Sequence, residues 1–236
     1  METLYIVMPA YNEEDSIENV VKQWYPILEG KSDDSRLVIA DSGSSDSTHK
    51  ILMELKERKY HKLRILDTSN QYHGPKLIAL YEHAICMGAD YIFQTDSDGQ
   101  TDPDEFDAFW RDRKNYDGIF GNRTVRGDGK DRAFVEQVVC LMLKVFFKVD
   151  APDANAPFRL MKADSVRKYL NRMPSDYALP NIMLVAFFLR YKEKVSFKEI
   201  SFKPRMYGKN SIDFYKIFKI GIKSCVDFFR FRKMME

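Results

Sequence analysis

The stretch Tyr91-Ile92-Phe93-Gln94-Thr95-Asp96-Ser97-Asp98-Gly99-Gln100 decides how the rest of this chain is read. A short apolar run, Tyr91-Ile92-Phe93, ends in two carboxylates one residue apart. Apolar runs of this kind read as buried strands. Side chains at i and i+2 of an extended segment share a side, so Asp96 and Asp98 can face one ligand together. Two hard oxygen donors at the C-terminal end of a strand suit Mg²⁺ or Mn²⁺, with phosphate oxygens completing the shell. An isolated Asp-x-Asp is more often a solvated turn; the neighbouring segments point to chemistry here.

Before this stretch, strand and helix signals alternate. Leu4-Tyr5-Ile6-Val7-Met8 is an apolar strand predicted to end at Pro9, and Asn12 or Asp15 can cap a helix through Ile17, Val20, Val21 and Trp24. A second strand over 36–40 leads into Asp41-Ser42-Gly43-Ser44-Ser45-Asp46, then a helix through Ile51, Leu52 and Leu55. A third strand covers 63–66 and a third helix 76–86. Such repetition implies right-handed crossovers and a mostly parallel sheet. Ligands of these sheets sit beyond the carboxyl ends of the strands, so the loops 9–13, 41–46 and 96–100 should converge on one crevice. The later half is more mixed. A strand at Ile119-Phe120 enters a polar loop from Gly121 to Arg132, helices are expected over 134–149 and 179–190, and 195–200 alternates like a strand.

The usual phosphate and calcium signatures are missing. There is no G-x-G-x-x-G, Gly30-Lys31-Ser32 follows Tyr25 where a P-loop needs glycine, and Thr101 stands where an EF-hand needs one. The three cysteines are odd in number and far apart, which fits a reducing cytoplasm better than a disulfide scaffold. The N-terminus lacks a charged segment followed by a long apolar core, so no signal peptide is expected. The longest apolar run, Ile182 to Leu189, is far short of the roughly 20 residues that span a bilayer. The net charge of +2 and the lack of a recognition-helix pattern argue against a nucleic-acid partner. Basic residues are nevertheless concentrated at the end, nine against three acidic ones from Lys203 onward.

With these pieces in order, the chain resembles glycosyltransferase family 2, the nucleotide-sugar transferases of GT-A fold. Val7-Met8-Pro9-Ala10-Tyr11-Asn12-Glu13-Glu14 resembles the family's opening strand and loop, and Asp41 to Thr48 is similar to its "DDGSxDxT" segment, with Ser42 in place of the second Asp. Asp96-Ser97-Asp98 resembles its DxD. Gly121-Asn122-Arg123, Arg132, the segment Asp153 to Met161, Pro180-Asn181-Ile182 and Arg205-x-x-Gly208-x-Asn210-Ser211-Ile212 are similar to the polyprenyl-phosphate branch, whose relatives include dolichyl-phosphate mannose synthase.

The resemblance implies a Rossmann-like, mostly parallel sheet flanked by helices and a metal-dependent, inverting transfer from a nucleoside diphosphate sugar, UDP rather than GDP. It implies Asp98 as a ligand for Mg²⁺ or Mn²⁺, with Asp96 either joining it on the metal or facing the sugar or nucleoside of the donor. Pro9, Tyr11, Glu13 and Asp41 form its nucleoside pocket, with tight-turn and capping chemistry as their plain alternative. Arg205 contacts the donor diphosphate, with Lys209 and Ser211 closing the loop or forming an ordinary basic turn. Arg123 and Arg132 hold an acceptor lipid phosphate, Arg126 being a solvated loop residue, and Arg159 braces the Asp153 loop. Asp176 lies where saccharide-acceptor members place a catalytic base, and it could equally cap the next helix. No role falls to the histidines. A nucleotide-sugar-binding subunit without activity is the non-enzymatic alternative, suggested by Ser42.

Residues 1–211 are expected to form the catalytic domain. From Ile212 to Lys233, Lys216, Lys219, Lys223, Asp227 and Arg230 recur at helical spacing among apolar residues. This helix either packs on the domain or a partner, a homo-oligomer included, or lies in a membrane interface. The expected location is cytoplasmic, with peripheral attachment at the inner membrane face if the acceptor is a lipid.

Overall fold

The structure, a computed structural model, describes residues 1–68, 72–127, 130–204 and 214–235. Strands β1 (Leu4–Ala10), β2 (Arg36–Asp41), β3 (Leu63–Leu66), β4 (Tyr91–Thr95), β5 (Gly118–Arg126), β6 (Phe158–Lys162) and β7 (Val195–Phe202) form one sheet, in the order β3-β2-β1-β4-β6-β5-β7. Only β6 runs against its neighbours; the other pairings are parallel. Helices α1 (Ile17–Trp24), α2 (Thr48–Arg58), α3 (His73–Cys86), α4 (Phe106–Asp112), α5 (Lys130–Phe147), α6 (Ala163–Leu170), α7 (Pro180–Arg190) and α8 (Phe214–Met235) flank it. This is the expected mostly parallel GT-A architecture.

Alternation along β1 explains the layering. Tyr5 and Val7 join one apolar cluster with α3, α6, α7 and parts of α5 and α8, while Leu4, Ile6 and Met8 join another with α1 and α4. Both faces of a parallel strand are covered, so its sequence reads as one apolar run. In the second layer Trp24 stacks on Phe93 at 5.3 Å and tilts onto Phe158 at 5.9 Å, locking α1 to β4 and β6. At the end of α8, Phe228, Phe231 and Met235 are buried in the first cluster, and Phe228 meets Phe147 of α5 at 5.4 Å. Among the described residues no helix is long and apolar enough to cross a membrane.

Several expected boundaries move. Pro9 does not end β1, which runs to Ala10. Pairing with β4 stops at Val7–Gln94, so Pro9 needs a ladder partner on one side only and its missing N–H is tolerated. Neither Asn12 nor Asp15 caps α1; Ser16 holds that position without a side-chain cap bond. Helix α3 begins three residues early, at His73. The first half of the polar stretch after Phe120 is strand, because β5 continues to Arg126 against β7.

Trp24→Ala removes the largest side chain from the second layer and leaves a cavity. It is expected to lower unfolding free energy by about 3–5 kcal/mol in chemical denaturation, with little effect on the far-UV circular dichroism of the folded protein.

Candidate active site

The three loops at the carboxyl ends of β1, β2 and β4 are stitched together by hydrogen bonds. Asn12 adopts a left-handed backbone (φ 53°), its N–H donates to Ser44 Oγ at 3.0 Å, and its Oδ1 accepts from the Ser45 N–H at 2.8 Å. The Glu14 N–H donates to Asp46, whose carboxylate also receives the Thr48 N–H and hydroxyl. On the other side, Ser97 Oγ donates to the Pro9 carbonyl at 2.8 Å and Ser16 Oγ to the Ser97 carbonyl at 3.2 Å. These short hydroxylated side chains tie loop to loop, which accounts for the serine-rich composition of the motifs. Ser42 joins this bracing, accepting the Thr68 N–H at 2.7 Å.

Asp41, at the end of β2, is buried; its carboxylate accepts from Ser44 Oγ and faces His49 Nδ1 at 3.2 Å. Glu13 is also nearly buried, accepts from Ser16 Oγ at 2.9 Å, and is anchored through its N–H to Thr48 Oγ1. Tyr11 is half exposed, with the Lys76 ammonium 5.4 Å from its ring centre. Lys76, absent from the sequence-derived candidates, is only 1% exposed and donates to the Ala10 carbonyl at 2.6 Å rather than to a carboxylate. Burial pushes its pKa down and the nearby Asp41 opposes the shift. A lysine among Leu77, Leu80, Tyr81 and Ala84 on the buried face of α3 is the signal that could have found it, because unpaired buried lysines are rare. Gly74 lets this helix start lie against the Tyr177 and Ala178 carbonyls, where a Cβ would approach to 2.4 and 2.5 Å.

Asp96 is held from beneath. Gln94 Nε2 donates to Asp96 Oδ1 at 3.1 Å, Asn181 Nδ2 donates to Gln94 Oε1 at 3.1 Å, and Tyr81 Oη donates to Asn181 Oδ1 at 2.7 Å. All three supporting side chains are buried. The chain crosses from α3 through α7 to β4, and each donor is matched to one acceptor. Arg159, fully buried beside it, donates to the main-chain carbonyls of Asn181, Ala154 and Ala156. It therefore does brace the loop after Asp153. Asp98 accepts the Gln100 N–H at 3.1 Å in a tight turn at Gly99 (φ 74°). Gln100 in turn bonds both ways with the main chain of Lys203, at 2.7 and 2.8 Å. On the same wall His73 is open to solvent yet crowded by protein; desolvation and Lys76 push its pKa down to about 4.

Among the described residues no group of three or more His, Cys, Asp or Glu could hold a metal ion. Asp96 and Asp98 alone supply too few donors for an octahedral cation. Such a pair fits Mg²⁺ or Mn²⁺ whose remaining positions are taken by phosphate oxygens and water.

Arg123 stands differently from its expected place at an acceptor phosphate. Its guanidinium is clamped by Asp153 at 2.7 and 2.9 Å and by Glu136 at 3.2 Å, and its side chain is only 6% exposed. Burial raises the carboxyl of Asp153, but its bonds to Arg123 overcome this and hold it low. Glu136 is pushed up by burial and by Asp153. The cluster fixes α5 to β5 and to the loop before β6, where Glu136 also accepts the Ala154 N–H. Asp176 is exposed and does not cap α7, whose N-cap is Leu179. Arg132 lies in the first turn of α5, its side chain outside the described residues, as are Arg205, Lys209 and Ser211.

Residues 5–170 match the model of Glycosyl transferase family 2, and the chain belongs to that family. It is 33% identical over 114 residues to a UDP-N-acetylglucosamine–dolichyl-phosphate N-acetylglucosaminyltransferase of Methanococcus voltae, covering 43% of each chain. It is 22% identical over 217 residues to an undecaprenyl-phosphate 4-deoxy-4-formamido-L-arabinose transferase of Photorhabdus laumondii, covering 91% of this chain and 64% of the relative. The match thus spans about two fifths to two thirds of the length of these two relatives. Glucosyl-3-phosphoglycerate synthase of Mycobacterium tuberculosis, solved with Mn²⁺, UDP-glucose and glycerol 3-phosphate, shares the fold with a TM-score of 0.70 at 16% identity, over 95% of this chain and 79% of that one.

Asn181→Leu strands the Tyr81 hydroxyl and the Gln94 carbonyl. It is expected to cost about 1–3 kcal/mol for each stranded group. In a double-mutant cycle with Tyr81→Phe, unfolding free energies should be non-additive, with a coupling of about 0.5–3 kcal/mol.

Proposed function

We propose that this chain transfers a sugar, with inversion, from a nucleoside diphosphate sugar to a polyprenyl phosphate. The observation that carries the reading is the convergence of three loops on Asp41, Asp96 and Asp98, at the carboxyl ends of parallel strands where such sheets bind ligands. The names of the archaeal and bacterial relatives supply the acceptor class, and a UDP donor is favoured by the archaeal relative and by the mycobacterial complex.

In this reading Pro9, Tyr11, Glu13 and Asp41 line the nucleoside pocket. Asp98 and Asp96 hold Mg²⁺ or Mn²⁺, which when bound offsets the charge developing on the leaving diphosphate. Lys76 holds the Ala10 carbonyl beneath the Tyr11 ring and so fixes the first loop of the donor pocket. Arg205, Lys209 and Ser211, which lie outside the described residues, are assigned to the donor diphosphate by the family resemblance. An acceptor phosphate oxygen forms the new bond to the anomeric carbon while the bond to the diphosphate breaks and its electron pair leaves with the diphosphate. That oxygen is already anionic near neutral pH, so no strong base is required. Arg132 positions it, and Arg123 acts through the Asp153 and Glu136 cluster by fixing the start of α5.

A second reading gives a saccharide or other hydroxyl acceptor, with Asp176 as base. The failure of Asp176 to cap α7 leaves its carboxylate exposed for such a role.

Release of nucleoside diphosphate from a panel of UDP- and GDP-sugars tests these readings. Release should require Mg²⁺ or Mn²⁺ and a short polyprenyl phosphate, and should fall roughly a hundredfold or more in Asp98→Asn. Lys76→Met should raise the donor KM, and Asp176→Asn should leave transfer to the lipid unchanged. Turnover with a hydroxyl acceptor that is lost in Asp176→Asn supports the second reading. Donor binding without turnover on any acceptor supports the inactive subunit.

A further inference from the structure

Helix α5 is apolar on two opposite sides, and only one of them meets the core. At about 100° per residue, Glu136, Cys140, Leu143 and Phe147 share the inward side, where Leu143 and Phe147 are buried. Phe134, Val138, Leu141 and Val145 recur at steps of four, three and four and fall within an arc of about 60° on the other side. These four are 66%, 39%, 60% and 63% exposed. The stripe continues onto α8. Phe146 contacts Phe229 at 6.5 Å, and Phe229 and Val226, one turn apart, are 55% and 67% exposed. A contiguous apolar patch of this kind marks a docking surface rather than ordinary surface scatter.

The rim of the patch selects its occupant. Lys144 lies beside Val145, Lys148 follows the helix, and Arg230 and Lys233 border Phe229, with the Lys233 ammonium 5.7 Å from its ring centre. All four are exposed. Among the described residues two acidic side chains lie near the patch, Asp150, paired with Lys144 at 3.1 Å, and Asp227, next to Val226; an exposed pair such as Lys144–Asp150 contributes little. A second copy of the chain would set the same basic rim against itself. Aromatic and aliphatic side chains ringed by lysine and arginine instead match the boundary between acyl chains and anionic headgroups.

We infer that α5 and the outer side of α8 dock this protein on an anionic lipid surface through Phe134, Val138, Leu141, Val145, Val226 and Phe229. The placement agrees with a lipid acceptor, on which the inference partly rests.

The test is sedimentation of the full chain with vesicles of phosphatidylcholine alone or mixed with phosphatidylglycerol, with a Leu141→Glu/Val145→Glu variant shown to be folded by circular dichroism. The wild-type chain should bind the anionic vesicles and release from them at high salt. The variant should lose about tenfold or more in affinity, equivalent to one buried leucine. Transfer to a short, water-soluble polyprenyl phosphate should be unchanged in the variant, while transfer to a long-chain acceptor embedded in vesicles should fall. Equal vesicle binding by both proteins, no binding by wild type, or a dimer that the variant converts to monomer overturns the inference. Absence of transfer on any acceptor would count against the proposed reaction alone, because vesicle binding is read independently.

Discussion

The hydrogen-bonded chain from Tyr81 through Asn181 and Gln94 to Asp96 is the constraint on which the site depends. A carboxylate at a strand end beside a second one repels it and would swing towards solvent. Here its orientation is set by an amide whose other end is itself held, inside a core that leaves no room for rearrangement. Buried polar chains of this kind specify one arrangement only when every member is satisfied. The antiparallel strand β6 belongs to the same device. It inserts between β4 and β5 and places Arg159 opposite Gln94, where the guanidinium ties α7 to the turn after Asp153.

A second buried cluster does for the other half of the crevice what the first does for the loop that carries Asp96. Two carboxylates and one arginine, Asp153, Glu136 and Arg123, join β5, α5 and the approach to β6. Removing one member of such a cluster leaves a buried charge uncompensated, which costs more than the intact cluster contributes. Its geometric product is the fixed origin of α5. From there the helix carries its apolar stripe, Phe134, Val138, Leu141 and Val145, on the side away from the core.

The parallel half of the fold was legible in the sequence because each β-strand is an apolar run and each helix has a clear period, with acidic loops at the predicted strand ends. The convergence of those loops followed from topology alone. What escaped was set by tertiary context. Pro9 reads as a strand breaker, and only the early end of β4 pairing makes it harmless. Gly121 to Arg132 reads as a polar loop, and only the parallel partner β7 makes half of it strand. Lys76 is not legible in the same way, because a single lysine in an apolar helix carries no motif. The resemblance assigns Arg123 to an acceptor phosphate; its buried partners Glu136 and Asp153 are 13 and 30 residues away, too distant for any local pattern to pair them with it.

The central claim is that Asp41, Asp96 and Asp98 together form a donor site that needs a divalent ion. Calorimetric titration of UDP into the protein, with and without Mn²⁺, tests it most directly. Binding that requires Mn²⁺ in the wild-type chain and is abolished in Asp98→Asn is the predicted result. Binding of equal strength without the ion, or undiminished in Asp98→Asn, would contradict it.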